Sequence, residues 1–249
     1  MKKCFYLLLA LLAFTATAWA QNSKNVGSES DLRNYLTNQQ YDNYTFNLTD
    51  NITIPSANGE IEVRYRAIIN MNGKTIMAEN PTIRIFHVVS QGSLPYMPSL
   101  TLTGNGTLNG GGNGGTLDGG AIYNEGMLTL QNVTLQNATA TNGGAVYNTG
   151  TMTMSGGSIT GCTASNKGGG IYNTGTLTIS DGSVSSNEAG NAGGIHLVDQ
   201  CTFNLTGGSI SGNRAIQSGN ANKNCGGVNI TGNSTMNMSG GSIADNTAS

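Results

Sequence analysis

The sequence predicts an all-β fold: a right-handed parallel β-helix of three-strand coils, about 24–25 residues per coil, started by a short N-terminal capping helix. Three observations predict it. First, Gly120-Ala121-Ile122-Tyr123-Asn124 recurs as Gly144-Ala145-Val146-Tyr147-Asn148 and Gly169-Gly170-Ile171-Tyr172-Asn173, with weaker copies at Gly193-Gly194-Ile195-His196 and Gly226-Gly227-Val228-Asn229. The aliphatic position advances by 24, 25, 24 and 33 residues. Second, a thirteen-residue block repeats five times without insertion or deletion. Leu128, Met152, Leu177, Phe203 and Met236 open it, Leu135, Ile159, Val184, Ile210 and Ile243 follow seven residues later, and Ala140, Ala164, Ala189, Ala215 and Ala248 close it. Third, alternation such as Thr176-Leu177-Thr178-Ile179 has period two, which belongs to strands and not helices. A lone repeat cannot bury its apolar row. Stacked repeats can, with like residues about 4.8 Å apart in parallel sheets.

Taken in chain order, the first twenty residues read as a signal peptide. Lys2 and Lys3 precede an apolar run, Leu7 to Leu12, and Ala18-Trp19-Ala20 is a small-x-small cleavage site before Gln21. The run is too short to span a bilayer, and no later segment reaches the roughly twenty residues required. Residues 21–118 read as the cap and irregular first coils. Ser28 and Asp31 cap a short helix whose apolar stripe is Leu32, Tyr35 and Leu36. Strand-like runs follow at residues 45–48, 52–54, 61–63, 67–71, 82–89 and 100–103.

Residues 119–249 hold the five regular coils, each with strands at the Gly-Gly-x-Ile, Leu-x-Leu and Ser-Ile-Ser segments. Gly-Gly pairs such as Gly156-Gly157 mark corners that need positive φ or a missing side chain. Ala248-Ser249 stops where a further Gly-Gly would begin, so the last coil is expected to continue in a longer chain or to be covered by a partner.

The quoted motifs resemble the repeats of chlamydial-type polymorphic outer membrane proteins and related autotransporter passenger domains. The matching second element is Val184-Ser185-Ser186-Asn187-Glu188-Ala189, with Ile210 to Ala215 and Ile243 to Ala248 as further copies. Family repeats usually place Phe where this chain has Ile or Val, and Ala138 and Cys162 stand where two copies would carry Asn. The resemblance covers about half of the chain. It implies a right-handed β-helix, export, and adhesion or surface display.

Composition narrows function by exclusion. With 11 Lys+Arg against 13 Asp+Glu the net charge is −2, so no basic surface exists for nucleic acid. Removing Lys2 and Lys3 leaves 9 basic residues against 13 acidic, about −4. Cys162, Cys201 and Cys225 remain after cleavage. An odd number with no C-x-x-C spacing argues for packing cysteines rather than a disulfide framework or zinc site, with a Cys201–Cys225 bridge as the alternative.

Parallel β-helices include polysaccharide-cleaving enzymes, whose chemistry needs carboxylates gathered from neighbouring coils. Glu125, Asp181, Glu188, Asp199 and Asp245 occupy different registers, and Glu60 and Glu62 lie beside Arg64 and Arg66 as an ion-pair face. His87 and His196 read as single and unpartnered. No catalytic residue, metal site or cofactor is expected. The glycine run 110–115 lacks the repeated Asp of a calcium roll and the Lys-Ser/Thr of a phosphate loop.

What remains are surfaces. Tyr123, Tyr147, Tyr172 and His196 share one outward register, an aromatic stripe able to stack on sugars or a partner, or on itself. Thr151/Thr153, Thr176/Thr178, Thr202/Asn204 and Thr235/Asn237 form an outward ladder whose later Asn rungs argue against ice binding. Asn124, Asn148 and Asn173, and Asn187, Asn213 and Asn246, are expected to ladder coil to coil. Two insertions, 90–99 with Tyr96 and Met97 and 216–225, map to loops of the kind that contact partners.

The expectation is an exported, non-enzymatic, adhesin-like surface module. Its partner would be a protein or glycan on a host or neighbouring cell. The alternatives are a matrix protein that self-associates through its open last coil, or a polysaccharide-active enzyme.

Overall fold

The computed structural model describes residues 22–90, 97–113, 117–216 and 225–249. The expected signal peptide lies outside them. The described residues form a parallel β-solenoid of about seven turns with one α-helix near the N-terminus. Three parallel sheets form its sides. One has fifteen strands, one seven, and one five.

The repeat register is kept in space. Leu128 pairs with Met152, Met152 with Leu177, Leu177 with Phe203 and Phe203 with Met236. Four of these five are at most 1% exposed. Each such side chain contributes about 1.5–3 kcal/mol by leaving water. The Leu-x-Leu and Ser-Ile-Ser segments belong to the same wide sheet, and in two coils they merge into single strands, Thr151–Thr160 and Thr176–Ser185. The alanine segments form the five-stranded sheet, a strand position beyond the three expected.

Two local requirements explain the glycine pattern. A Cβ on Gly144 would stand 2.1 Å from the Gly169 carbonyl oxygen, so the next coil's backbone occupies that space. The position two residues beyond the Ser-Ile-Ser aliphatic has left-handed φ in every regular coil, at Asn137, Gly161, Ser186, Gly212 and Asp245.

The helix Glu29–Thr37 is capped by the Ser28 hydroxyl, which accepts from the Asp31 amide, and it buries Leu32 and Leu36. The Arg64 amide donates to the Leu36 carbonyl, so the helix end closes the edge of Ile61–Val63, the first strand of the seven-stranded sheet. The early strands fall where expected, with two differences. The run 82–89 divides into Thr82–Ile83 and Phe86–Val88 around Arg84, and strands at Ser23–Val26, Thr75–Ala78 and Thr107–Asn109 add to those read from sequence. At the other end the interior rows reach the surface. Ile230, Met238 and Ile243 are 46%, 51% and 39% exposed, whereas their register partners Leu197, Leu205 and Ile210 are fully buried.

Candidate functional site

The seven-stranded sheet presents a single outward row, because its regular strands run inward, outward, inward over three residues such as Ile122–Asn124. That row is Glu62, His87, Tyr123, Tyr147, Tyr172, His196 and Asn229. Tyr123, Tyr147 and Tyr172 are half-buried and stack at 5.2 and 4.8 Å, with ring planes within 21°. His196 continues the stack at 5.3 Å from Tyr172. The rings therefore cover one another's faces. Burial raises the Tyr147 phenol to about 12, helped by Tyr172.

His196 is 1% exposed, and neither ring nitrogen has a hydrogen-bond partner. Burial lowers it to about 4, with the Lys167 charge adding, so it stays neutral near pH 7. Met97, by contrast, is 55% exposed. Tyr96 and most of the second insertion lie outside the described residues.

The N-terminal end of the row holds a cluster that overturns two expectations. His87 is partnered: its Nδ1 lies 3.2 Å from Glu60 Oε1 and its Nε2 3.0 Å from Glu125 Oε2. Glu60 is no partner of Glu62 on a common strand face. It precedes the strand and pairs with Arg84, while Glu62 pairs with Arg64. Arg84 is almost buried, donates to the carbonyls of Asp118 and Gly119 at 2.7 and 2.9 Å, and lies 5.0 Å over the Tyr123 ring. The Ser90 amide donates to Glu125 at 3.0 Å.

Two carboxylates from different coils thus meet through one imidazole. Glu60 lifts the His87 pKa through its hydrogen bond, Glu125 adds to this, and partial burial opposes both. Burial would raise Glu60, but the His87 hydrogen bond and the Arg84 charge hold it low. The pairs neutralise one another and commit the Glu60 and Glu125 carboxylates.

The asparagine ladders are present. Asn124 Nδ2 donates to Asn148 Oδ1, and Asn148 Nδ2 to Asn173 Oδ1, both at 2.6 Å and fully buried. The first rung faces Val88, so Asn124 Oδ1 has no donor. In the second ladder Asn187 and Asn213 each donate to the next Oδ1, at Asn213 and Asn246, while the Cys162 amide donates to Asn187. The three described cysteines are free thiols. Burial pushes the Cys162 thiol up to about 12, making it a packing residue.

Sequence reading missed the Glu60–His87–Glu125 cluster because these residues lie 27 and 38 positions apart in irregular coils. The available signal was the alternation Ile85-Phe86-His87-Val88, which sets His87 in the Tyr123 row once Phe86 is aligned with Ile122. Among the described residues no group of three or more His, Cys, Asp or Glu can hold a metal ion, and no helix is long and apolar enough to cross a membrane. Comparison with known protein families, curated proteins and solved structures returns no match.

Proposed function

We propose that this chain is an exported, non-enzymatic β-solenoid that displays rigid faces to a partner on a host or neighbouring cell, in the manner of the polymorphic outer membrane protein repeats it resembles. The observation that carries this reading is the engagement of the chemical side chains along the seven-stranded sheet. Rings cover rings, and His87 and both its carboxylates are committed to each other, whereas the solvent-facing rows of the wide sheet are regular. The charged n-region, apolar run and Ala18-Trp19-Ala20 support export.

The test combines protease shaving of expressing cells with binding of the purified chain to host cells. Protection of the chain inside intact cells, or no saturable binding by the purified chain, would defeat the proposal. Concentration-dependent lengthening in small-angle scattering would instead favour a matrix in which copies stack coil on coil.

A second reading rests on Glu60, His87 and Glu125, drawn from different coils as polysaccharide-cleaving chemistry requires. His87, whose pKa the two carboxylates raise, would be the proton donor. Release of reducing ends or unsaturated sugars from a glycan panel, abolished by Glu125→Gln, would establish it over the display reading.

A further inference from the structure

The wide sheet differs in chemistry from the other two sides. From Ser99–Thr103 through Thr235–Met238 its strands carry one charged residue, Asp181, at the bend between its two halves. Charge collects elsewhere, at Glu60, Arg84, His87 and Glu125 beside the ring row, and at the Glu188–Arg214 pair of the alanine sheet.

The outward positions of the wide sheet form parallel rows in strict register. Thr129 pairs with Thr153, Thr153 with Thr178 and Thr178 with Asn204, and alongside them Thr151 pairs with Thr176. Rungs lie about 4.8 Å apart along the axis, and the two rows about 6.6 Å apart across it. Unlike the ring row, this lattice keeps its hydrogen-bonding capacity unspent. The hydroxyls of Thr129, Thr151, Thr153, Thr176 and Thr178 have no partner among the described residues, although inward neighbours such as Met152, Met154, Leu177 and Ile179 are fully buried. In the Thr151 row Met127, 47% exposed, stands between Ser99 and Thr151, and the row runs back from Ser99 to Arg66, whose charge is paired with Asp42.

Resting on the display reading above, we infer that this face binds a neutral, unbranched polysaccharide laid along the solenoid axis, with sugars in step with the coils. Each threonine offers a hydroxyl that donates and accepts and a methyl that meets the apolar side of a sugar. A single rung binds weakly. Repetition in fixed register converts weak contacts into avidity without further ordering of the protein. The lack of charge matches a neutral polymer and gives a polyanion or polycation nothing to pair with.

The probes are mixed-linkage β-glucan and hydroxyethylcellulose, both neutral, with polygalacturonate as the charged comparator, in affinity electrophoresis and calorimetry with the purified chain. Thr153→Val/Thr178→Val removes two hydroxyls while keeping β-branching and shape, and its fold is checked by circular dichroism and melting. The wild-type chain should be retarded by a neutral glycan and not by polygalacturonate. The double variant should bind about tenfold more weakly, and Arg214→Ala, on the alanine sheet, should bind as wild type. No retardation by either neutral glycan, unchanged affinity in the double variant, or stronger retardation by polygalacturonate would each overturn the assignment. Thermal hysteresis in place of glycan binding would transfer the lattice to ice and likewise overturn it. If host-cell binding persists while neutral glycans fail, only the ligand assignment falls and the display reading stands.

Discussion

Two histidines in one ring row are set in opposite directions, and this fixes the shape of the stability–pH curve. His196 is buried without a partner and titrates at about 4, below its ordinary 6.5. A group whose folded pKa is depressed in this way takes up protons more readily when unfolded. Its stabilising contribution is complete above pH 6.5, falls as pH drops from 6.5 to about 4, and is level below that. The fall amounts to about 3 kcal/mol, or about 6–12 °C in melting temperature for a chain of this length. His87 is raised above 6.5 by Glu60 and Glu125, so its contribution is complete below pH 6.5 and is lost as pH rises through the folded value.

Stability should therefore peak near pH 6.5. The perturbation is His196→Phe, which keeps a ring on Tyr172 and removes both orphan nitrogens. The assay is urea unfolding at half-unit steps from pH 5 to 8. Asp42, Glu60 and Glu79 are held below their ordinary values of 3.8 and 4.5, so their own acid losses fall mostly below this window. The variant should lose the acid limb between pH 6.5 and 5 and keep the alkaline one. An acid limb of equal size in His196→Phe would refute the assignment of that limb to His196.

The remaining predictions concern the ladders, the corners and the cluster. Asn148→Ala removes a side chain that accepts from Asn124 and donates to Asn173, Gly150 and Thr176, and should cost about 2–4 kcal/mol in chemical unfolding. Gly144→Ala drives a methyl into the Gly169 carbonyl and should destabilise by about 3 kcal/mol or more, since backbone cannot move aside as a flexible side chain does. Glu125→Gln removes one of the two carboxylates on His87, so the His87 ring resonances should titrate at lower pH by NMR and the alkaline limb should move with them.

The regular half of the fold was legible because a solenoid turns sequence offset into contact. A constant period places Leu128 on Met152 and Tyr123 on Tyr147, so equal spacing in the chain becomes adjacency in space. The ladder of Asn187, Asn213 and Asn246 followed from the same arithmetic, even where Cys162 breaks it and supplies only its backbone amide. The alanine segments were seen as a repeat but not as strands. A buried alanine between polar neighbours carries almost no β signal, and pairing in that sheet comes from its stacked neighbours. Within coils 21–118 the spacing is uneven, and there the offset no longer converts into contact. Short strands such as Thr75–Ala78 and Thr107–Asn109 hide among glycines and turns for that reason.

The same physics makes the stripe legible in the sequence and the cluster not. The stripe needs only one residue per coil at constant phase. The cluster needs Glu60 just before one strand, His87 inside the next, and Glu125 just after the third, three phases that converge because side chains as long as glutamate reach across a rung. Convergence of this kind depends on side-chain reach as well as on register. In a rod whose interior is fixed by repetition, chemistry therefore gathers where the repetition is broken. His87 stands between Glu62 and Tyr123 in its row, with no copy of itself one coil away to pair with. Asn124 illustrates the rule from the other side. As the first asparagine above an aliphatic rung it has a donor to give and none to receive, so the boundary between irregular and regular coils is also where hydrogen-bonding capacity is left over.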